Sequence, residues 1–155
     1  VENKPLGTGG AILNAIADLK MTESFLVANA DTWLGSGIEI LSKSLPSCLA
    51  TIKVPNTHRY GSLYLKGTKI HCFEEKSNSS GSGYVNSGLY HLLPEVFDGF
   101  ELGAEFSLEK DVFPELVLRQ KLGFVKVASS FIDIGIPQDY RKFCNWIKLG
   151  QSHEL

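Results

Sequence analysis

The chain has 155 residues, 43% of them hydrophobic and 21% charged, a balance that suits one globular domain and excludes a wholly disordered chain. Its formal net charge of −2 excludes a general electrostatic attraction to nucleic acid or to an anionic membrane. No apolar run approaches the roughly 20 residues that cross a bilayer, and the first five residues do not resemble a secretion signal. We therefore expect a cytoplasmic protein with no nucleic-acid partner and no membrane partner, whose anionic ligands are held by a local site.

The cysteines and histidines give no metal or disulfide pattern. Cys48, Cys72 and Cys144 are widely spaced, with no CxxC pair, so neither a disulfide framework nor a zinc site is indicated. The four histidines also lack ligand spacing. Buried, reduced thiols of a cytosolic protein are the expected state.

The first predicted element is a glycine-rich turn that opens a helix. Leu6-Gly7-Thr8-Gly9-Gly10 precedes apolar residues at helical spacing, Ile12, Ile16 and Leu19. Backbone amides at a helix N-terminus favour an anion or a base edge, although a tight turn explains the glycines equally well. Because neither GxGxxG nor GxxxxGK[ST] occurs, neither a dinucleotide fold nor a P-loop is indicated.

Further elements follow in the first half of the chain. We predict a strand at Phe25–Ala28, a short helix around Ile38–Leu45, and a β-rich strand at Cys48–Val54 that Pro55 ends. Ser62–Leu65 and Lys69–Phe73 flank a glycine turn and are predicted to form a hairpin.

Two places in the middle of the chain are candidate ligand contacts. Glu75 and Lys76 follow the hairpin and precede a loop rich in Ser and Gly; a lysine there can hold a phosphate and a glutamate can accept hydrogen bonds from sugar hydroxyls. A solvated strand end is the alternative. Asn86-Ser87-Gly88 interrupts a strand predicted over Tyr84–Leu92, and a glycine in mid-strand indicates close approach of a ligand or of another backbone.

The last third of the chain alternates helix and strand again. Ser107 is predicted to cap a helix that restarts at Pro114, whose ring clashes inside a helix. Strands are predicted at Gly123–Ala128 and Phe131–Ile134, and a final helix from Pro137 to a stop at Gly150. The whole order predicts one α/β domain, residues 1–155, with a β-rich insertion.

Asp31 and Asp133 occupy similar positions. Each follows an apolar run predicted to be a strand, and the ends of strands are where an open α/β sheet binds its ligands. Two carboxylates brought together repel unless a cation lies between them, and Mg²⁺ that also carries substrate phosphates is the natural occupant. Taken alone the pair is also compatible with turn formers or helix caps.

In order, these segments resemble the sugar 1-phosphate nucleotidyltransferases. The matching segments span most of the chain: Pro5-Leu6-Gly7-Thr8-Gly9-Gly10-Ala11, Asn29-Ala30-Asp31, His58-Arg59-Tyr60-Gly61, Phe73-Glu74-Glu75-Lys76, Asn86-Ser87-Gly88-Leu89-Tyr90, Ser107-Leu108-Glu109-Lys110-Asp111-Val112-Phe113-Pro114 and Phe131-Ile132-Asp133-Ile134-Gly135-Ile136-Pro137. Within that family the chain most resembles the short bacterial enzymes that activate heptose 1-phosphate or mannose 1-phosphate with GTP. The resemblance implies a Rossmann-like mixed sheet, mainly parallel, flanked by helices and carrying a β-rich sugar-binding insertion.

The resemblance also implies a mechanism and its residues. A phosphate oxygen of the sugar 1-phosphate attacks the α-phosphorus of a nucleoside triphosphate in line, giving a nucleotide sugar and pyrophosphate. The implied roles are metal binding and catalysis for Asp31 and Asp133, catalysis and sugar-phosphate binding for Lys76, sugar binding for Glu75, Asn86, Gly88 and Glu109, and base and ribose binding for Leu6, Gly7, Thr8 and Gly9. The implied cofactor is Mg²⁺.

The chain departs from the family in one respect. Members begin with a strand and a GxGTR loop that cradles the triphosphate, and these 155 residues contain no such loop. Together with Val1 in the place of Met, this leads us to expect a chain without the N-terminal strands of the fold. Its sheet is then expected to have an apolar edge that invites pairing, including a homo-oligomer, and the chain alone is expected to be inactive or weak.

Two other functions remain open from the sequence. One is a nucleotidyltransferase-like module that binds sugar or nucleotide, or regulates, without turnover. The other is a generic α/β domain whose motif matches are coincidental. Metal-independent binding of a GDP-sugar favours the module, and aspartate substitutions that change neither ligand nor metal affinity favour the generic domain.

Overall fold

The computed structural model describes residues 4–60, 62–74 and 81–150. Within them it contains eight strands and four α-helices. The strands are β1 Phe25–Ala28, β2 Thr32–Leu34, β3 Cys48–Val54, β4 Ser62–Lys66, β5 Lys69–Glu74, β6 Gly83–Leu92, β7 Gly123–Val127 and β8 Phe131–Asp133. The helices are α1 Gly7–Leu19, α2 Ile38–Ser42, α3 Phe113–Leu118 and α4 Pro137–Lys148, with a 3-10 turn at Pro94–Phe97 and a π-helical turn at Leu108–Val112.

Six strands form the main sheet, in the order β1-β6-β3-β7-β5-β4, and β2 and β8 form a separate two-stranded sheet. The mixed α/β class is confirmed. The direction of the strands differs from the expectation of a mainly parallel sheet, because among the described pairings only β3 and β7 run parallel. Hydrophobic pattern predicts that a segment is a strand but carries no information on its direction.

The β4–β5 hairpin contacts the sheet at two places. Ser62 and Leu63 of β4 pair with Val85 and Tyr84 of β6, while Lys69 of β5 pairs with Gly123 of β7. The pairings β3–β6, β6–β4, β4–β5, β5–β7 and β7–β3 therefore close into a ring. Within this ring, the β4–β5 hairpin lies in the middle of the chain, where the sequence predicted a β-rich insertion.

Helices cover both faces of the sheet. Leu49 and Tyr90 pack with residues of α1 and α3 in the larger core cluster. Their neighbours in sequence, Ala50 and Leu89, pack with Leu41 of α2 on the other face. Because successive side chains of a strand point to opposite faces, β3 and β6 supply apolar residues to both cores.

Strand β6 is irregular at the place where the sequence predicted an interruption. Its register with β3 shifts between the pairs Leu49–Tyr90 and Thr51–Asn86, so that three residues of β6 lie opposite one of β3. Gly88 lies inside this bulge at φ +72°, a left-handed conformation that favours glycine. Because the excess is two residues, the alternation of side chains is preserved, and Asn86 and Tyr90 lie on the same face, where they are hydrogen-bonded.

Most element boundaries match the sequence prediction, and two short elements were missed. Helix α2 ends at Ser42 instead of Leu45, and β2 and the 3-10 turn were not predicted. Ser107 is the predicted N-cap, since its Oγ accepts a hydrogen bond from the Lys110 amide at 3.2 Å. In the described part of the chain, no helix has the length and apolar character to cross a membrane.

Candidate functional site

The small sheet brings Asp31 and Asp133 together. Asp31 lies between β1 and β2, and Thr32, the first residue of β2, is the cross-strand partner of Asp133. The Ile134 amide donates to the Asp31 carbonyl at 2.8 Å, which extends the pairing by one residue. Two residues from opposite ends of the sequence are thus fixed side by side by backbone hydrogen bonds.

The two carboxylates converge over Gly135. A Cβ added to Gly135 would lie 3.0 Å from Asp133 Oδ1 and 3.2 Å from Asp31 Oδ2. Asp133 Oδ1 also accepts the Gly135 amide at 2.9 Å, so its side chain is held in this direction. The expected proximity of the two aspartates is therefore what the structure has.

The donor set of this pair fits a hard cation that shares its ligands with a substrate. Mg²⁺ is commonly bound by one or two carboxylates together with substrate phosphates, and like-charged carboxylates stay ionised more easily with a cation between them. Among the described residues there is no cluster of three or more His, Cys, Asp or Glu that could hold a metal without a substrate.

A cationic side chain near this pair was not predicted. Arg59 forms an ion pair with Asp139 of α4, with 2.5 Å between Nη2 and Oδ2. The pKa of Arg59 is raised, first by the hydrogen bond to Asp139 and also by the negative charges of Asp139 and Asp133. Burial raises the pKa of Tyr60 beside it, and the Tyr60 ring packs on Phe131 at 5.5 Å. Arg59 and Tyr60, which precede β4, are therefore held against α4 and β8, next to Asp133.

An open cleft of about 540 Å³ lies between the start of α1 and the end of β1. Its lining includes Thr8, Asn29, Asp31 and Leu108. One predicted nucleotide-binding residue and one predicted metal ligand thus face the same space, which has the size of a small-molecule site.

The glycine turn is in contact with Phe106 of the same chain. The amides of Gly9 and Gly10 donate to the Phe106 carbonyl at 3.0 and 3.3 Å, and the Phe106 amide donates to the Leu6 carbonyl at 3.0 Å. A Cβ on Gly9 would overlap the Phe106 ring at 2.3 Å, so a close approach of protein explains this glycine. Leu6 is buried, Gly7 and Thr8 are exposed, and Thr8 is the member of the predicted set that lines the cleft.

Glu109 binds three hydroxyl groups of the protein. Its Oε2 accepts from Thr8 Oγ1 at 3.0 Å and from Ser107 Oγ at 3.1 Å, while its Oε1 accepts from Tyr90 OH at 3.2 Å. Thr8 Oγ1 in turn accepts the Leu108 amide at 2.9 Å. The predicted nucleotide residue Thr8 and the predicted sugar residue Glu109 are therefore in direct contact.

Asn86 and Gly88 join the same network from β6. Asn86 Nδ2 donates to Tyr90 OH at 2.9 Å, and Asn86 Oδ1 accepts the Gly88 amide at 3.0 Å. The Gly88 carbonyl accepts the Asn29 amide at 2.8 Å, and a Cβ on Gly88 would lie 3.1 Å from the Asn29 side chain. The close approach predicted at this glycine is an approach of β1.

Two of the predicted residues, Glu75 and Lys76, lie outside the described residues. Tyr90, Asn29 and Arg59 take part in the site although the sequence gave them no site role, and Ser107 was predicted only as a helix cap. All four belong to the quoted family segments. Tyr90, Asn29 and Arg59 are identified by contacts with distant parts of the chain, which no local pattern contains, whereas Ser107 contacts Glu109 two residues away.

Comparison with known proteins identifies related chains. The sequence model of a family described as Nucleotidyl transferase matches residues 1–148. The D-glycero-alpha-D-manno-heptose 1-phosphate guanylyltransferase of Aneurinibacillus thermoaerophilus is 35% identical over 149 residues, covering 92% of this chain and 63% of the relative. The protein of the same name from Campylobacter jejuni is 33% identical over 145 residues, covering 92% and 64%.

Solved structures agree with the fold. The crystal structure of HddC from Yersinia pseudotuberculosis complexed with GMP-PN superposes with a TM-score of 0.79 at 34% identity, covering 94% of this chain and 64% of that chain. A UDP-glucose pyrophosphorylase from Acinetobacter has a TM-score of 0.76 at 19% identity and supports the fold alone. The chain spans just under two thirds of the length of the two guanylyltransferases described above.

Proposed function

Because this chain belongs to the nucleotidyl transferase family, we propose that its protein transfers a nucleotidyl group from a nucleoside triphosphate, GTP in preference, to a sugar 1-phosphate of the heptose or mannose type. The products are a nucleotide sugar and pyrophosphate. The observation that carries the proposal is the convergence of Asp31 and Asp133 over Gly135, beside a cleft that Thr8 and Asp31 line.

In this reaction one phosphorus–oxygen bond forms and one breaks. A phosphate oxygen of the sugar 1-phosphate attacks the α-phosphorus, and pyrophosphate leaves with the electron pair of the broken bond. Bound Mg²⁺ supplies charge neutralisation at the phosphates, and Asp31 and Asp133 are the residues we propose to hold it. The protein positions the two substrates, which is the main catalytic contribution for a transfer of this kind.

We propose the remaining roles from the placement of the residues. Thr8 lines the cleft where the base and ribose are proposed to lie, with Leu6, Gly7 and Gly9 supporting the turn that carries it. Asn86, Gly88 and Glu109 form one hydrogen-bonded group that is proposed to face the sugar. Glu75 and Lys76 keep their proposed roles at the sugar and its phosphate.

Calorimetric titration of the chain with GDP-mannose, GDP-D-glycero-D-manno-heptose and UDP-glucose, each with and without Mg²⁺, tests the proposal. We expect Mg²⁺ to tighten the binding of a GDP-sugar. Asp31→Asn and Asp133→Asn are each expected to reduce this Mg²⁺-dependent gain in affinity by at least about tenfold, since each variant loses one anionic group proposed to bind the metal. Asp18→Asn on the exposed face of α1 is the matched control and is expected to leave the titration unchanged.

Three other outcomes of this titration would favour a different function, contradict the proposed function or correct the base. Binding of equal strength with and without Mg²⁺ favours a module that recognises nucleotide sugars without turnover. Absence of binding to every nucleotide sugar, with and without the metal, contradicts the proposed function. A stronger response to UDP-glucose than to either GDP-sugar corrects the proposed base.

A further inference from the structure

Three parts of the site meet at the hydroxyl group of Tyr90. Tyr90 is fully buried in β6, and its OH lies 3.2 Å from Glu109 Oε1 and 2.9 Å from Asn86 Nδ2. The side chain of Asn29, which lines the cleft, lies close enough to this hydroxyl group to lower the pKa of Tyr90. A single buried atom therefore connects the end of β1, the bulge of β6 and the π-helical turn.

The directions of these hydrogen bonds are fixed by chemistry. An ionised carboxylate only accepts, so the one proton of Tyr90 goes to Glu109. The hydroxyl carries this proton at neutral pH, as an ordinary tyrosine does, and burial together with the Glu109 charge raises the pKa of Tyr90 further. The Tyr90 oxygen then accepts from Asn86, which places the amide nitrogen towards Tyr90 and the amide oxygen towards the Gly88 N–H, 3.0 Å away.

Both ends of this chain of hydrogen bonds are residues proposed to face the sugar. Asn86 is half-buried. A half-turn of its side-chain amide exchanges the positions of the donor NH2 group and the acceptor oxygen. Glu109 is held at Oε2 by Thr8 and Ser107, and Tyr90 supplies the donor at Oε1. Removing the Tyr90 hydroxyl leaves the Asn86 amide held only by the Gly88 N–H and the Glu109 carboxylate held only at Oε2, so each group loses one of its fixed contacts.

We propose that Tyr90 is a positioning residue for sugar recognition, which sets the orientation of the Asn86 amide and the Glu109 carboxylate through its buried hydroxyl group without touching the substrate. A site that recognises hydroxyl groups by hydrogen bonds discriminates well only when its own donors and acceptors have fixed orientations. The inference rests on the proposed function, because it assigns the sugar half of that site.

Tyr90→Phe is the variant that tests it. The substitution removes one oxygen and keeps the ring, which packs edge-on against Phe113 at 5.2 Å. Calorimetry with Mg²⁺ is used to compare the wild-type chain and the variant for the panel of nucleotide sugars and for GMP alone. We expect the Kd of the nucleotide sugar to rise about tenfold, the cost of one misdirected hydrogen-bonding group, and the Kd of GMP to stay within about twofold.

Two controls separate positioning from a general loss of structure. Tyr64→Phe makes the same chemical change on an exposed tyrosine of β4 and is expected to leave both Kd values unchanged. In combination with Asn86→Ala, Tyr90→Phe is expected to weaken nucleotide-sugar binding by less than the product of the two single effects, because Tyr90 acts in part through Asn86.

The outcomes distinguish the inference from the function on which it rests. A wild-type chain that binds no nucleotide sugar overturns the proposed function and this inference together. A wild-type chain that binds while Tyr90→Phe binds equally well overturns only the role of Tyr90. Equal weakening of GMP and nucleotide sugar, full additivity with Asn86→Ala, or failure of Tyr90→Phe to fold assigns Tyr90 a purely structural role and also overturns the inference.

Discussion

Asp31 and Asp133 could be selected from the sequence because a carboxylate directly after an apolar strand is a local pattern. The residues that orient the site could not be selected in the same way. Thr8 and Glu109 are 101 residues apart, and their hydrogen bond exists only because the start of α1 packs on Phe106. Tyr90 looks like any aromatic strand residue until its hydrogen bonds with Asn86 and Glu109 are known. A local pattern thus indicates a strand-end carboxylate but not a contact between distant segments.

The three cysteines provide a test of burial at the residue scale. Cys48 is buried, and burial raises the pKa of its thiol, while Cys72 is exposed. Because the thiolate is the reactive form, we expect iodoacetamide at neutral pH to label Cys72 rapidly and Cys48 only on unfolding, with half-buried Cys144 between them. Mass spectrometry of peptides from timed samples measures each site.

Labelling in concentrated urea is the control for this comparison. There the three thiols are equally accessible, and their rates are expected to converge. Labelling of Cys48 at the rate of Cys72 in the folded chain would contradict the packing of Cys48 at the start of β3.

At the scale of elements, position was easier to predict than irregularity. Strands β1 and β3 have the bounds that the sequence predicted, since each is a short apolar run, and Pro55 ends β3. Strand β2 has three residues and no period of its own, and exists through its pairing with β8. Asn86-Ser87-Gly88 indicated an interruption, but its form, a two-residue excess on β6, depends on the partner strand.

The bulge of β6 predicts a large effect for Gly88→Ala. A Cβ at this residue requires a left-handed φ of +72° and lies 3.1 Å from three atoms of the Asn29 side chain. We expect the free energy of unfolding, measured by urea denaturation, to fall by about 1–3 kcal/mol through backbone strain and displacement of Asn29.

Gly81→Ala is the matched control, since its Cβ meets nothing within 4 Å and no left-handed φ is involved. Its effect is expected to stay within about 0.5 kcal/mol. Equal losses in the two variants would show that the conformation of the bulge contributes nothing special to stability.

At the scale of the whole molecule, the sequence predicted the α/β class and the β-rich insertion but not the arrangement of strands. Strand order and direction depend on which distant segments pair, and the ring through β4 and β5 is closed by only a few cross-strand pairs. The family resemblance supplied the likeness to known folds. The mainly antiparallel pairing of the described strands is a property of this arrangement, not of any one segment.

Strand β1 lies at the edge of the sheet and predicts self-association. It pairs with β6 on one side, and no described strand pairs with its other side. An apolar groove of about 380 Å³ between α1 and β1 includes Leu19 and Leu26, which are 70% and 39% exposed. We expect the apparent mass in sedimentation equilibrium to rise with concentration, and Leu26→Lys to reduce this rise, because a charged edge opposes strand pairing.

Leu102→Lys places the same charge on an exposed leucine outside the sheet and is expected to leave the association unchanged. A wild-type chain that remains monomeric over the whole concentration range would contradict self-association through this edge.

The pairing of β2 with β8 has a consequence for biosynthesis. A ribosome makes the chain from the N-terminus, so Thr32–Leu34 leaves the exit tunnel long before Phe131–Asp133 exists to pair with it. The first turn of α1 likewise waits for Phe106 and Glu109. Nascent chains that end before Phe131 therefore leave β2 without its partner strand and have only one of the two carboxylates, although β6 is already available to pair with β1. The pair of aspartates can therefore form only after β8 has been synthesised, later than the pairing of β1 with β6.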